Sequence, residues 1–356
     1  MTEFRKNGGA YITSLIGEAV RDGSRRVTLS GCYEIEQTVL IPSDFTLILE
    51  NCHLRQAEGT FCNIFTNENC RTTLGRTPEG TDRNIRIIGV GKAILDGGVY
   101  NGLSERNYDE RGMSMYVNNL LLFANVEGFE ISGLQAINQR WWAFCFCFCG
   151  QGRIANIDFC SDPRSLLPDG SFLPYLDVYE QAYIKNSDGI DLRIGCHDIL
   201  IENITGFTED DTIALTALTG KSGLAFDVEG KSRDIRNVII RNVRATAFCA
   251  IVRLLNQGEG TRMYNILIDG VMDTTYDCPY VKHPAGRAIR LGCAHRYGNV
   301  DVTPESFFNI TVRNVWSCAK HVVLYDPAIA NMTLDNINGF GENQAIATSI
   351  WDEGER

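Results

Sequence analysis

Two short acidic segments carry the side chains best suited to chemistry. Asn-Ser-Asp-Gly-Ile-Asp occupies residues 186–191, and Glu-Asp-Asp-Thr-Ile-Ala-Leu occupies residues 209–215. Asp188 and Asp210 are 22 residues apart, so a chain that coils with this period would stack them on one face. A carboxylate cluster in a cleft is what acid–base chemistry on a sugar requires. Asp188, Asp210 and the adjacent Asp211 are therefore the candidate catalytic residues.

Electrostatics supports this hypothesis if the coils stack as strands of a sheet. Neighbouring strands lie about 4.7–4.9 Å apart, and carboxylates at that distance repel, so one of them keeps its proton near neutral pH. A protonated carboxylic acid beside an ionised one can serve as general acid and base. The side chains must then splay to the roughly 6.5–9.5 Å of inverting enzymes or the roughly 5–5.5 Å of retaining ones. Because consecutive strand residues face opposite ways, Asp210 and Asp211 can share the cleft only if one lies on a bend.

A repeated pattern indicates the elements that position these residues. The pattern is Asn or Gly, apolar, any, apolar, any, Asn or Gly, apolar; its alternation predicts half-buried strands, and its Asn and Gly residues predict bends with left-handed backbone. Gaps of 44, 44 and 22 residues between copies suggest one or two turns of a coil of about 22 residues. The copies occupy residues 84–90, 128–134, 198–204, 237–243, 265–271, 309–315 and 331–337, with a weaker one at 153–157.

These features favour an all-β, single-domain, right-handed parallel β-helix over residues 1–356. A helical solenoid is disfavoured because the copies are rich in Ile and Val at period two, and a propeller would need about twice the period. Helical spacing over 10–22 predicts a short capping helix within an N-terminal cap of residues 1–30. Segments 160–182 and 276–299 break the repeat and are predicted to be loops over the cleft.

Composition limits the partners and the compartment. The net charge of −11 argues against nucleic acid. The thirteen cysteines have no paired CxxC spacing, which predicts mostly free thiols, a reducing compartment and a cytoplasmic protein, or a secreted one if a leader was trimmed. No stretch approaches a membrane span, and His53, His197 and His321 lack partners at ligand spacing, so we expect no membrane partner, metal or cofactor. The sequence leaves a homo-oligomeric state open.

Five motifs in order give the chain a resemblance to glycoside hydrolase family 28, the polygalacturonases and their relatives. Each motif is weak alone, but their order and spacing resemble those of the family over roughly residues 84–260. The resemblance implies a right-handed parallel β-helix and inversion at the anomeric carbon. It also implies that Asp210 is the general acid, and that Asp188 and Asp211 position and activate the attacking water. The motifs lie at residues 91–98, 139–144, 186–191, 196–203 and 210–215.

Two departures from the family pattern concern the substrate. Ser222 stands where the family has the histidine of Gly-His-Gly, and Arg253-Leu254-Leu255 stands where the family has Arg-Ile-Lys. The arginine is kept and the lysine is lost. We therefore expect a substrate other than plain polygalacturonate, such as a neutral or differently charged sugar.

Further residues are candidates for substrate binding, and each also has a structural interpretation. Arg253 and Ser222 are assigned from the motifs, and Trp142 is a candidate stacking platform at the start of a strand. The group His295, Arg296 and Tyr297 could contact a sugar or form an ordinary solvated loop. Asp191 is expected to serve the turn that follows Asp188, because Asn-x-Asp-Gly commonly builds turns.

The leading hypothesis is a glycoside hydrolase that cleaves an oligosaccharide or glycoside by general acid–base catalysis, with inversion. One alternative is another β-helix carbohydrate enzyme, such as a fructotransferase, an epimerase or a lyase. A lyase would need a basic residue as its base, and Arg253 is available. The alternative from another class is a non-catalytic carbohydrate-binding or structural β-helix, which the missing histidine and lysine favour.

Overall fold

A computed structural model describes residues 3–98, 116–139, 141–161, 188–278, 285–292, 300–341 and 344–348. Two long parallel sheets dominate these residues and wind into a right-handed parallel β-helix, which confirms the predicted fold class. The strands, in chain order, are β1 (Arg26–Ile35), β2 (Val39–Ile41), β3 (Phe45–Gln56), β4 (Phe65–Asn67), β5 (Asp82–Val90), β6 (Ile94–Asp96), β7 (Leu121–Ala124), β8 (Val126–Ile137), β9 (Trp142–Cys147), β10 (Gly150–Cys160), β11 (Asp188–Arg193), β12 (His197–Thr208), β13 (Ile213–Ala217), β14 (Ile235–Ala247), β15 (Ala250–Asn256), β16 (Met263–Asp273), β17 (Arg287–Leu291), β18 (Phe307–Ser317), β19 (His321–Tyr325), β20 (Ala330–Gly339) and β21 (Gln344–Thr348).

The two sheets divide the strands almost alternately. Sheet 1 has the order β1-β3-β5-β8-β10-β12-β14-β16-β18-β20, with the short β6 paired to β3 and β8. Sheet 2 has the order β2-β4-β7-β9-β11-β13-β15-β17-β19-β21. All eight predicted repeat copies lie in sheet 1, each in its own strand. Each coil therefore contributes a long strand to sheet 1 and a short strand to sheet 2.

The predicted helix is present as α1 (Gly8–Arg21). Ile12, Ile16 and Ala19 are buried on one face of α1 and join the core at the end formed by β1 and β2. Because β1 begins at Arg26, the first coil starts inside the predicted cap of residues 1–30. Short 3₁₀ segments occur at Leu74–Arg76, Pro78–Gly80 and Thr275–Asp277.

The core is built from aliphatic residues that stack in register from coil to coil. Burying each such side chain contributes about 1.5–3 kcal/mol, and parallel pairing repeats the gain on every coil. The central column of sheet 1 is Ile87, Ile131, Ile154, Ile201, Ile240, Ile268 and Val312, all with 0% exposure. The apolar positions of the period-two alternation therefore form the inward face of this sheet.

Asparagines at the bends account for the two fixed polar positions of the repeat. Most of these positions have positive φ, as predicted; Asn203, for example, has φ 57° and Asn242 has φ 53°. Their side chains also form hydrogen bonds from coil to coil. Asn203 Nδ2 donates to Asn156 Oδ1 (2.9 Å), and Asn242 Nδ2 donates to Asn203 Oδ1 (2.6 Å). The asparagines thus tolerate the left-handed backbone and also link successive bends.

Coil lengths differ from the simplest interpretation of the spacing. Bonded asparagines on neighbouring strands are 22, 28, 44 and 47 residues apart at different places along sheet 1. A gap of 44 residues is therefore one coil with an inserted segment, and not two coils of 22. The insertions leave the register of sheet 1 intact because they lie between the paired strands.

The two segments that were predicted to be loops, 160–182 and 276–299, have different outcomes. Segment 276–299 is not one continuous loop, because β17 (Arg287–Leu291) runs through it and pairs with β15 and β19. The alternation Ala288, Ile289, Arg290, Leu291 supplies the inward Ile289 and Leu291 that such a strand needs. Segment 160–182 lies outside the described residues beyond Ser161, where β10 has just ended at Cys160.

Cysteines and membrane character can be stated for the part of the chain that the structure describes. The cysteines there are free, as predicted, and Cys145, Cys147 and Cys149 are buried. Within these same ranges, no helix has the length and apolar character that a membrane span requires.

We expect Asn203→Ala to lower the free energy of unfolding by about 1–3 kcal/mol. Alanine disfavours the left-handed backbone and removes the two side-chain hydrogen bonds of Asn203. Asn203→Gly keeps the backbone freedom and loses only the bonds, so its loss should be smaller. Urea unfolding followed by circular dichroism measures both variants. An alanine variant as stable as the glycine variant would contradict the proposed backbone contribution.

Candidate active site

A cleft of about 370 Å³ lies on the outward face of sheet 2. Its floor is formed by residues of β11, β13 and β15 that alternate with the inward core residues, and its wall by residues 218–223. The cleft gathers acidic, basic and aromatic side chains. Its lining is Trp141, Trp142, Asp188, Asp191, Arg193, Asp210, Asp211, Ala214, Thr216, Leu218, Gly220, Lys221, Ser222, Gly223, Arg253 and Leu255.

The three predicted catalytic aspartates meet in this cleft, but their pairing differs from the expectation. The Gly189 N–H donates to the Asp211 carbonyl (3.0 Å), so Asp188 is level with Asp211 and not with Asp210. The Asp211 N–H in turn donates to Asp188 Oδ1 (3.1 Å), across 23 residues. The predicted 22-residue stacking of Asp188 on Asp210 is therefore wrong by one residue.

Asp210 and Asp211 share the cleft because of a bend. Strand β12 ends at Thr208 and β13 begins at Ile213, so both aspartates lie in the connection between them. Thr208 and Thr212 bond through their hydroxyl groups (2.8 Å) at the two ends of this connection. The strict alternation of a strand does not apply there, as expected, and both carboxyl groups line the cleft.

Asp191 is a cleft residue that the sequence interpretation missed. The expectation that it serves a turn is wrong, because it lies within β11 and points to the same face as Arg193. Its side chain is 1% exposed, and neither of its oxygens has a hydrogen-bond partner in the described structure. The inward Ile190 and Leu192 on either side of it were the signal that could have placed it.

Two arginines lie on the C-terminal side of the carboxylates. Arg253 Nη1 contacts Asp211 Oδ2 at 3.3 Å, and Arg253 pairs in register with Arg290 of the next coil. Arg290 is buried, and its charge acts on Asp211. The sequence placed Arg290 in a loop, whereas β17 brings it beside Arg253. Leu255, where a family lysine was lost, also lines the cleft.

Aromatic residues form the N-terminal wall of the cleft. Strand β9 begins at Trp142, as the motif predicted, and Trp142 is 7% exposed. The Arg193 guanidinium lies 4.5 Å from the centre of the Trp142 ring, and Tyr116 packs against the same tryptophan. Trp142 thus lines the cleft as a covered wall, while Trp141 beside it is more exposed. A sugar-stacking role for Trp142 stays a prediction.

The remaining predicted binding residues divide into two groups. Ser222 lines the cleft, and its carbonyl accepts a hydrogen bond from the Tyr116 hydroxyl (2.9 Å), which links the wall of residues 218–223 to the aromatic wall. His295, Arg296 and Tyr297 lie outside the described residues. The sequence assignment of Ser222 to the cleft is therefore matched by its position, and the other three keep only their sequence argument.

Burial and like charge shift the protonation of the cluster. Burial and the neighbouring aspartates raise the pKa of Asp188 well above its ordinary value, although the hydrogen bond that it accepts from the Asp211 N–H opposes the rise. Burial also raises the pKa of Asp191 against the opposing charge of Arg193. Burial raises the pKa of Asp211 from 3.8 to about 6, since Arg253 only partly offsets it. The cluster therefore retains protons that exposed aspartates would lose.

Within the described ranges, no group of three or more His, Cys, Asp or Glu side chains has an arrangement that could hold a metal ion. The carboxylates are opposed instead by arginines, so the chemistry available from the chain itself is proton transfer and charge stabilisation.

Comparisons with known proteins show the fold. No protein-family model and no curated protein matches the chain. The hyperthermoactive exopolygalacturonase from Thermotoga maritima superposes with a TM-score of 0.57 at 14% identity, covering 98% of this chain and 92% of that one. A polygalacturonase from Erwinia carotovora ssp. carotovora gives 0.56 at 14% identity, covering 98% and 96%. A tailspike protein double mutant of E. coli bacteriophage HK620 gives 0.62 at 10% identity, covering 97% of this chain and 60% of the tailspike chain.

We expect Asp211→Asn to become more stable relative to the wild type as pH rises. The pKa of Asp211 is raised to about 6 in the folded protein, so ionisation between about pH 4 and 6 costs folded-state stability, and asparagine avoids it. The gain from pH 4 to pH 7 should be on the order of 2 kcal/mol. Chemical unfolding at both pH values measures it.

The control is Asp335→Asn, which removes an exposed carboxylate from the outer face of β20. A stability difference between Asp211→Asn and wild type that is the same at pH 4 and pH 7 would contradict the raised pKa.

Proposed function

We propose that the chain is a glycoside hydrolase that cleaves a glycosidic bond by general acid–base catalysis. One observation carries the proposal: carboxyl oxygens of Asp191 and Asp211 have no hydrogen-bond partner in the described structure, in a cleft where four aspartates converge, three of them at most 7% exposed. The three are Asp188, Asp191 and Asp211. Buried carboxyl oxygens normally have hydrogen-bond partners, so those without one in a cleft point to a polar substrate. The β-helix shared with two polygalacturonases supports a saccharide as that substrate.

The proposed mechanism gives the aspartates separate roles. Asp210 donates its proton to the glycosidic oxygen as the bond to the anomeric carbon breaks, and the leaving sugar departs as an alcohol. Asp188 and Asp211 hold a water on the opposite face, and Asp211 takes its proton as its oxygen bonds to the anomeric carbon. This route inverts the anomeric configuration.

The surroundings of Asp211 suit a base. A base must be ionised when water attacks, and the Arg253 contact at 3.3 Å favours the ionised form against burial. The pKa of Asp211, about 6, keeps it basic enough to accept a proton near neutral pH. The hydrogen bond from the Asp211 N–H to Asp188 Oδ1 keeps these two side chains together on the side proposed for the water.

A second candidate function is a carbohydrate-binding β-helix without catalysis. The tailspike chain superposes slightly better than the polygalacturonases, and Ser222 replaces the family histidine. In this alternative, the unpaired oxygens of the cleft would hold sugar hydroxyl groups without cleavage. Turnover separates the two candidates.

We expect Asp210→Asn to lower kcat by about 10²–10⁴-fold, because it removes the general acid. The protein and the variant are incubated with a panel of neutral and uronic oligosaccharides, and products are followed by proton NMR. The first product formed by the wild type should have the inverted anomeric configuration.

Asp335→Asn is the control and should retain wild-type turnover, because it lies on the outer face of β20. Undiminished turnover by Asp210→Asn would remove the acid assignment, and direct formation of the retained anomer would exclude inversion. Binding of sugars without any turnover would establish the second candidate.

A further inference from the structure

Cys249 is the residue that lies level with Asp210 on the next coil. Both coils have four residues between their paired positions in sheet 1 and sheet 2, 209–212 and 248–251, so the two connections stay in register. A main-chain hydrogen bond supports this register, because the Thr212 N–H donates to the Ala250 carbonyl (3.0 Å). Asp210 thus has a thiol beside it on the following coil. The flanking pairs are Thr208 with Ala247 and Ile213 with Val252.

The side chains of Cys249 and Asp210 are in contact. The Cys249 thiol donates a hydrogen bond to the Asp210 carboxyl group. Both residues are partly exposed, and Asp210 is the most exposed of the four aspartates of the cleft. Desolvation and the charges of Asp210 and Asp211 raise the pKa of the Cys249 thiol well above its ordinary value, against the opposing charge of Arg253. The thiol therefore keeps its proton near neutral pH and serves as a donor.

This hydrogen bond has a consequence for an acid that must transfer its proton in one direction. A protonated carboxyl group has one oxygen that carries the hydrogen and one that does not, and the second is the better acceptor. Because the Cys249 thiol donates to one oxygen of Asp210, it favours the proton on the other oxygen. The thiol thus distinguishes two oxygens that would otherwise be equivalent.

A thiol is a weak donor, and this suits its position beside a general acid. A strong donor would stabilise the ionised carboxylate and so oppose the protonated form that the acid needs before it reacts. A weak donor orients the carboxyl group with a smaller effect on its protonation.

We propose that Cys249 is a positioning residue for the general acid, because its thiol donates to one oxygen of Asp210 and leaves the acid's proton on the oxygen that faces the substrate. The proposal rests on the proposed function, since Asp210 is the acid of that hydrolysis. No bond of Cys249 is made or broken in the reaction. Asp210 gives its proton to the leaving oxygen, and the thiol then stabilises the carboxylate that remains.

The competing interpretation is that Cys249 only fills space beside Asp210. The residues on the same connection, Ala247 and Ala250, are small and 0% and 1% exposed, so a compact side chain fits between them. A space-filling residue could be replaced by serine or alanine without a change in pH dependence. A hydrogen-bond donor could not, because the two replacements change the donor in opposite directions.

The first measurement is independent of turnover. Iodoacetamide alkylates Cys249 at pH 8 in the wild type and in Asp210→Asn, and mass spectrometry follows the tryptic peptide 245–253, which contains no other cysteine. The thiolate is the reactive form, so removal of the adjacent charge should raise the alkylation rate about tenfold. An unchanged rate at Cys249 would overturn the proposal.

Two controls accompany the alkylation. Cys32 of β1 is partly exposed at the N-terminal end of the β-helix, and its rate should be the same in both proteins. Asp335→Asn removes an exposed carboxylate from β20 and should leave the Cys249 rate at its wild-type value.

The second measurement is the pH profile of kcat for Cys249→Ala and Cys249→Ser, from pH 4 to 9, on a sugar that the wild type cleaves. We expect Cys249→Ala to lower kcat about three- to tenfold with KM nearly unchanged, because the proton is no longer directed to one oxygen. Its alkaline limb should move to higher pH, since no thiol favours the carboxylate. Cys249→Ser should retain most of kcat, and its alkaline limb should move to lower pH, because a hydroxyl is the stronger donor.

The outcomes separate this proposal from the hydrolysis itself. Wild-type kcat and pH profiles in both variants, or limbs that move in the same direction, would favour space filling and overturn the proposal while hydrolysis stands. A wild type that cleaves no sugar would reject the hydrolysis and the positioning role together, and faster alkylation in Asp210→Asn would then establish only the thiol–carboxyl contact. If Cys249→Ala unfolds, Cys249→Ser decides, because an unmoved alkaline limb in that variant would overturn the proposal.

Discussion

The register of the parallel coils is the constraint on which the rest of this molecule depends. It is held by main-chain bonds and by asparagines that link successive bends, such as Asn156, Asn203 and Asn242. A slip of one residue would turn every side chain of a strand to the opposite face. In β11 such a slip would bury Asp191 in the core and expose Ile190 or Leu192 in the cleft. The cleft therefore exists only because sheet 1 and its bends fix the register of sheet 2.

Collecting four aspartates in one cleft works against stability, and the surrounding fold offsets this. Burial and like charge raise the pKa of Asp188, Asp191 and Asp211, so each resists ionisation. Arg253 and Arg193 reduce this cost, but neither makes a short hydrogen-bonded pair with its aspartate. A fully paired cluster would be more stable and would have no oxygen left for a substrate or a water.

The sequence was sufficient for the fold and for much of the cleft, and its failures have physical causes. The repeat and its Asn or Gly positions predicted the strands because period-two burial and left-handed bends are local properties. The pairing of Asp188 with Asp211 could not be read from spacing, because the bend before β13 adds one residue to the coil. Strand β17 was missed because its coil carries an insertion and its two arginines made it look like a loop. Asp191 was misassigned because turn chemistry and strand alternation give opposite expectations for the same residue.

The outward faces of the two sheets differ in how their charges are arranged. On sheet 1, successive coils place Glu202, Arg241, Asp269, Arg313 and Asp335 in one column, so charges of opposite sign meet in register. On sheet 2, like charges meet: aspartates gather on one side, and Arg253 pairs in register with Arg290. The alternating charges on sheet 1 neutralise one another without a ligand. The separated negative and positive groups on sheet 2 create an electric field across the cleft. In the proposed hydrolysis, a saccharide with its reacting bond over the aspartates would lie within that field, which would favour the build-up of positive charge on the sugar ring.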